Sequence, residues 1–258
     1  MKLNRFLFGV SVSLISFQVM SWGQTGHRVT GAIAEQYLSP NTQAAIANLI
    51  PSEDLAEVST YADEMRSDPS EFWQKTSSPW HYVNVHKGYS YQHDKAPTEG
   101  DAVTALAKFS KQLTSNTTSI EDKQLALKFI VHIIGDLHQP FHSGTSEDRG
   151  GNTVKVKFFW EDSNIHRVWD SGLIDRQKLS YSEWASRLSK KISKQQASQW
   201  MNADPLVWVA ESAQIRQGLY PKDDELSWDY QYQHLPTLKQ RLQMGGVRIA
   251  AYLNHLFK

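Results

Sequence analysis

The sequence predicts a mainly α, single-domain helical bundle carrying one short β-hairpin, and three observations support that fold. Apolar residues recur at helical spacing in one segment after another, whereas a clear period-two alternation occurs once. No repeat, low-complexity tract or long linker divides the chain. Its 258 residues are 40% hydrophobic, enough for one packed core at this length.

The elements follow in order. Lys2 and Arg5 precede a mostly apolar run over residues 6–20, interrupted by Ser11, Ser13, Ser16 and Gln18. A spanning helix wants ~18–20 apolar residues, so 1–21 reads as a secretory signal cleaved after Ser21. The mature chain, 22–258, is then secreted or periplasmic and enters no membrane. Residues 31–50 predict a helix broken at Ser39-Pro40 and resumed from Asn41. Residues 87–100, with Gly88, Pro97 and Gly100, read as a loop. Val103, Leu106, Ala107 and Phe109 form one face of a helix over 101–113. Residues 125–137 are apolar almost all round, as a central buried helix would be. Residues 153–160 (TVKVKFFW) alternate with period two and supply the hairpin. Asp204-Pro205 is an N-cap followed by proline at the first helical position, opening a helix through Val209 and Ser212. Residues 238–256 close the chain with a long amphipathic helix.

Composition narrows the chemistry. The absence of cysteine excludes a disulfide scaffold, a Cys-ligated zinc finger and a thiol nucleophile. Lys plus Arg equals Asp plus Glu at 27 each, and removing Lys2 and Arg5 leaves 25 basic against 27 acidic residues. Such a chain does not hold a nucleic-acid backbone by bulk charge, though chemistry on phosphate stays open. Ten histidines and nine tryptophans exceed what packing alone requires.

The histidines fall into patterns. In HIIGDLHQPFH, His132 and Asp136 leave one helix face a turn apart, and His138 and His142 follow. His166 and Asp170 repeat that spacing. An imidazole and a carboxylate on an apolar helix must be paired or metal-bound. Either pair alone reads equally well as a simple hydrogen bond. Two pairs, together with Asp63 and His81, point to a metal, and nitrogen and oxygen donors without sulfur suit zinc. His86, His93, His234 and His255 lie outside every motif and read as surface residues.

Five motifs in order resemble the S1/P1 nuclease family of secreted zinc-dependent nucleases and 3′-nucleotidases. Trp22-Gly-Gln-Thr-Gly-His27 is similar to the mature start WGxxGH, and Tyr61-Ala-Asp63-Glu-Met-Arg66 to (W/Y)ADxxR. Trp80-His81-Tyr82 is similar to WH(F/Y). His132 to His142, followed by Asp148-Arg-Gly-Gly-Asn152, resembles HxxGDxHQPxH…DxGGN. His166 to Asp170 resembles HxxWD, and weaker echoes lie in Asp204 to Ser212 and from Gly246 onward. The resemblance implies a helical bundle of the phospholipase C/P1 nuclease type.

It also implies three zinc ions per chain. Asp63, His81, His132 and Asp136 match the ligands of one, and His142, His166 and Asp170 those of the second. The third takes the free α-amino group and carbonyl of Trp22 with His27 and Asp136, so Asp136 bridges two metals. Removal of residues 1–21 is what creates that amine. The implied reaction is in-line attack on phosphorus by hydroxide from a water shared by two zinc ions, whose pKa the metals lower. The resemblance implies Arg66 and Asp136 as the catalytic residues, with Arg66 neutralising the phosphoryl oxygens.

The implied substrates are single-stranded DNA and RNA, cut to 5′-phosphorylated nucleotides, and 3′-nucleotides. Tyr82 would stack on a base, and Asn152 would hydrogen-bond a base edge or phosphate. Asn84 stands where fungal members carry Asp, and an amide both donates and accepts. The fungal disulfides are absent. No protein partner is evident, and the chain reads as a monomer. The competing readings are a zinc-dependent phospholipase C and a non-catalytic exported zinc-binding protein.

Overall fold

The computed structural model describes residues 22–258, so the signal predicted over 1–21 lies outside the described residues. Helix α1 (Gln24–Glu35) begins ahead of the predicted start at Gly31. Its inward face mixes Gly26, His27, Thr30 and Gly31 with Val29, Ile33 and Ala34, and small or polar inward residues produce no apolar period. The break at Ser39-Pro40 is a true boundary. In α2 (Pro40–Leu49) proline takes the first position and Ser39 Oγ accepts the Thr42 N–H.

Asp101 and Thr104 form a capping box at the start of α3 (Ala102–Thr114). The central helix, α4 (Ile120–Asp136), opens on Ser119, with Glu121 and Asp122 complementing its dipole. It starts before Leu125 because its first turn is polar and solvent-facing, while Phe129 to Asp136 are buried all round. Phe109 of α3 stacks on Phe129 of α4 with centroids 4.4 Å apart, and Trp80 meets Phe129 edge-on. Helices α5 (Tyr181–Ser189) and α6 (Lys194–Trp200) are additional to the predicted set, each opened by a serine capping box. Asp204 caps α7 (Pro205–Arg216) as predicted. The last helix, α8 (Trp228–Leu256), begins well before Leu238 and runs through Pro236. Proline costs a backbone bond there, but Tyr230 and His234 are already buried ahead of it.

The predicted hairpin is present. Strand β1 (Val83–Asn84) pairs in parallel with β2 (Ser143–Gly144), bringing the segment after His81 beside the one after His142. The hairpin joins β3 (Lys155–Phe158) antiparallel to β4 (Glu161–Asn164), and β5 (Glu225–Leu226) adds in parallel to the other edge of β3. Val156 and Phe158 face inward while Lys155 and Lys157 face out, the alternation read from the sequence. The two-residue turn places Phe159 at φ 49° and Trp160 at φ 72°, the left-handed region that Asn-Gly normally fills. Trp160 is 80% exposed, so little packing compensates its backbone strain. Trp160→Gly should therefore stabilise the fold by roughly 0.5–1 kcal/mol. A thermal melt of the variant with an unchanged or lower midpoint would contradict this.

One core cluster surrounds α3 and α4 with Trp73, Trp80 and Trp208. Another joins Trp22, Phe141, Trp169 and Trp184 to Leu238 and Leu242 of α8. The polar residues of interest lie where these two cores meet, at the C-terminal end of α4.

Candidate metal centre

Three histidines of the centre are each aimed by a main-chain carbonyl. His132 donates from Nδ1 to Ser59 O at 2.7 Å, His142 to His81 O at 2.6 Å and His166 to Gly150 O at 2.6 Å. A carbonyl can only accept, so in each ring Nδ1 carries a proton and Nε2 is the atom turned toward the centre. Gly150 has φ +61°, and a Cβ there would lie 2.6 Å from Phe141 O, so only glycine brings that carbonyl to His166. Gly135 instead leaves room for the His27 ring, whose Nδ1 would be 2.9 Å from a Cβ at 135.

The donor atoms fall into three groups, each within 4.8 Å: His27, His132 and Asp136; Asp63, His81 and His132; His142, His166 and Asp170. Asp136 joins them. Its Oδ1 lies 3.3 Å from His27 Nε2 and 3.6 Å from His142 Nδ1. Its Oδ2 lies 3.2 Å from His81 Nδ1 and 3.1 Å from His132 Nε2. In the third group His166 Nε2 is 3.2 Å from Asp170 Oδ2.

Charge is concentrated in a dry place. Burial alone would raise the Asp136 carboxyl, but the His132 and His142 charges outweigh it and hold it well below the usual range. Burial would lower His142, yet Asp136 and then Asp170 push it up to about 9. His81 falls to about 4, through burial first and the Arg66 charge second. The buried atoms Asp63 Oδ1, His142 Nε2 and Asp170 Oδ2 make no hydrogen bond. Such atoms cost about 1–3 kcal/mol each when left unsatisfied, and several converging donors call for a cation. The residues present fit a divalent metal.

The remaining predicted residues lie around this cluster. Trp22 is wholly buried, its Nε1 donating to Gly135 O at 2.8 Å, while Gly23 N donates to Asp170 O at 2.9 Å. Residue 22 is thereby pinned between α4 and the segment bearing Asp170. Arg66 sits with Nε 3.3 Å from Asp63 Oδ1, both side chains 17% exposed, so this is no ordinary surface pair. Tyr82 and Asn84 line a cavity of about 210 Å³ with Phe141, Arg149, Gly150 and His166, so it adjoins the third group. Asn152 is not among its lining residues: it donates from Nδ2 to Arg149 O at 2.9 Å and braces the turn. Sequence reasoning missed Arg149, which lines the cavity at φ +54°; its position inside the DRGGN turn was the available signal. His138 points away from the centre, donating to Ile134 O and meeting Arg248 Nη1 at 3.2 Å. His86, His93 and His255 are exposed, as read. His234 is not a surface residue: it is buried against Tyr230 and Trp169, on a part of α8 that the sequence did not show to be helical.

Among the described residues, no helix is long and apolar enough to cross a membrane. The sequence model of the S1/P1 Nuclease family matches residues 22–258. Endonuclease 4 of Arabidopsis thaliana is 33% identical over 92% of this chain and 90% of its own length. Nuclease S1 of Aspergillus oryzae is 28% identical over 90% of this chain and 91% of its own. Among solved structures, the Alpha Toxin from Clostridium absonum superimposes with a TM-score of 0.51 at 15% identity. That match covers 93% of this chain and 64% of the toxin, and it is a likeness of fold, the phospholipase C/P1 nuclease type that the motifs implied. With every described residue inside the family match and a centre of buried histidines and aspartates fit for metal, the chain belongs to the S1/P1 nuclease family and is a hydrolase of phosphodiester bonds.

Proposed function

We propose that the chain holds three zinc ions in this one cluster and cuts single-stranded DNA and RNA to 5′-phosphorylated nucleotides, with 3′-nucleotides as further substrates. The observation that supports it best is Asp136, whose two oxygens face imidazoles from all three groups. Asp63, His81, His132 and Asp136 hold one ion, and His142, His166 and Asp170 hold another. The free amine and carbonyl of Trp22, with His27 and Asp136, hold the third. Zinc in these places supplies activation of water near neutral pH and neutralisation of charge on the phosphoryl group.

The chain's own residues bind and orient the substrate. Arg66, steered by Asp63, presents a planar guanidinium to phosphoryl oxygens, a task an ammonium performs less well. Tyr82 offers a ring on which an unpaired base stacks, which favours single strands without selecting sequence. Asn84 meets the base edge with both a donor and an acceptor. Asn152 acts through the turn that it braces. Residues 22–258 form one catalytic domain, secreted or periplasmic once 1–21 are removed, and monomeric.

Assay of the purified mature protein on single-stranded DNA, 3′-AMP and phosphatidylcholine tests this reading. Turnover of the first two supports it, and turnover of the lipid alone overturns it. Elemental analysis after purification without chelator should find about three zinc ions per chain, and one or none would contradict the assignment. Chelation should lower the melting temperature by roughly 10 °C or more, because ligands from residues 27 to 170 make metal binding part of folding energy. An unchanged melt would exclude that coupling.

A further inference from the structure

Gln139 is wholly buried three residues past Asp136, where an apolar side chain would fill the space without the cost of desolvating an amide. Its orientation is decided by its neighbours. The Phe141 backbone N–H can only donate, and Gln139 Oε1 lies 2.6 Å from it. The amide nitrogen therefore faces the other way and donates to Asp170 Oδ1 at 2.5 Å. The Gln139 backbone N–H meanwhile donates to Asp136 O at 2.9 Å. One residue thus joins the main chain of Asp136, the turn that carries His142, and the carboxylate of Asp170.

The consequence is geometric. With Oδ1 engaged by an N–H, the Asp170 carboxylate cannot rotate freely, and Oδ2 stays 3.2 Å from His166 Nε2 without a hydrogen bond of its own. The same amide holds the Phe141 N–H, which sets the turn that aims His142. We propose that Gln139 is a positioning residue for the group His142–His166–Asp170, fixing the orientation of the Asp170 carboxylate and tying that group to the helix end that carries Asp136. This rests on the metal reading of that group given above. Partners of this kind are worth roughly 10–100-fold in metal affinity.

The test uses Gln139→Glu, which keeps the acceptor for the Phe141 N–H and places an oxygen where the amide donor stood. Zinc affinities of the mature protein are measured by titration against a competing chelator, beside His166→Ala and the double variant. Gln139→Glu should weaken zinc at one group by roughly 10–100-fold and leave the other two unchanged. In the His166→Ala background the same substitution should cost nothing further, because the group it serves is already lost. Gln139→Met, which removes donor and acceptor together, should also weaken zinc at that group. Unchanged or tighter zinc binding in Gln139→Glu would overturn the proposal. So would an equal fall at all three groups with a lower zinc-free melt, the mark of a merely structural residue. Full zinc retention by His166→Ala would instead overturn the metal reading of that group, and this inference with it.

Discussion

A protein that keeps a single methionine ahead of Trp22 is expected to fold and yet lose activity by orders of magnitude. The added residue converts the Trp22 amine into a peptide nitrogen, whose lone pair is delocalised into the carbonyl and binds zinc poorly at neutral pH. Residue 22 has little room to adjust. Its indole is fastened to Gly135 O, and the next residue is fastened to Asp170 O. The ion assigned to Trp22, His27 and Asp136 should be weak or missing, while His142, His166 and Asp170 should still fill. The phosphoryl oxygens would then lose one of the charges that face them, and in a dry site such a loss is expensive. Zinc content near two per chain and a collapsed turnover on single-stranded DNA are the expected readings. Full activity with three zinc ions in the methionine-extended protein would show that the amine is no ligand.

Asp136→Asn should abolish activity more completely than Asp170→Asn. Asp136 faces four imidazoles, whereas Asp170 faces His142 and His166. Removing one partner from a buried charge cluster costs about 3–5 kcal/mol, or roughly 10²–10⁴-fold in affinity for whatever the cluster holds. Under the proposed assignment, that loss at position 136 would fall on two ions at once. Comparison of kcat/KM and zinc content in the two variants decides the matter, and equal residual activity would contradict the bridging role.

Much of this centre is legible without coordinates because its ligands come in local pairs. His132 with Asp136, and His166 with Asp170, are each one helical turn apart, so spacing alone puts both donors on one face. The caps at Ser39, Asp101 and Asp204 are equally local, each side chain accepting an N–H two or three residues on. Where local signals conflicted with packing, the sequence misled. The last helix, read from Leu238, begins at Trp228 and runs through Pro236, and His234 ends up buried rather than exposed. The start of α1 carries no apolar period because its inward residues serve the centre and close packing.

Local chain chemistry therefore specifies the mainly helical class, the hairpin, and which imidazoles and carboxylates stand together along the chain. Tertiary structure alone decided how they are shared and aimed. That His132 belongs to two groups, and that Asp136 touches all three, depends on segments far apart in sequence. So does the choice of ring nitrogen, made by Ser59 O across 73 residues and His81 O across 61. Every residue carries a carbonyl, so no residue type signals which one will meet an imidazole. Gln139 is silent for the same reason: its amide acquires a task only when Asp170 is packed 2.5 Å away. Helical spacing is encoded within one turn of chain, whereas the direction of a lone pair is set by whichever backbone the packed core brings against it.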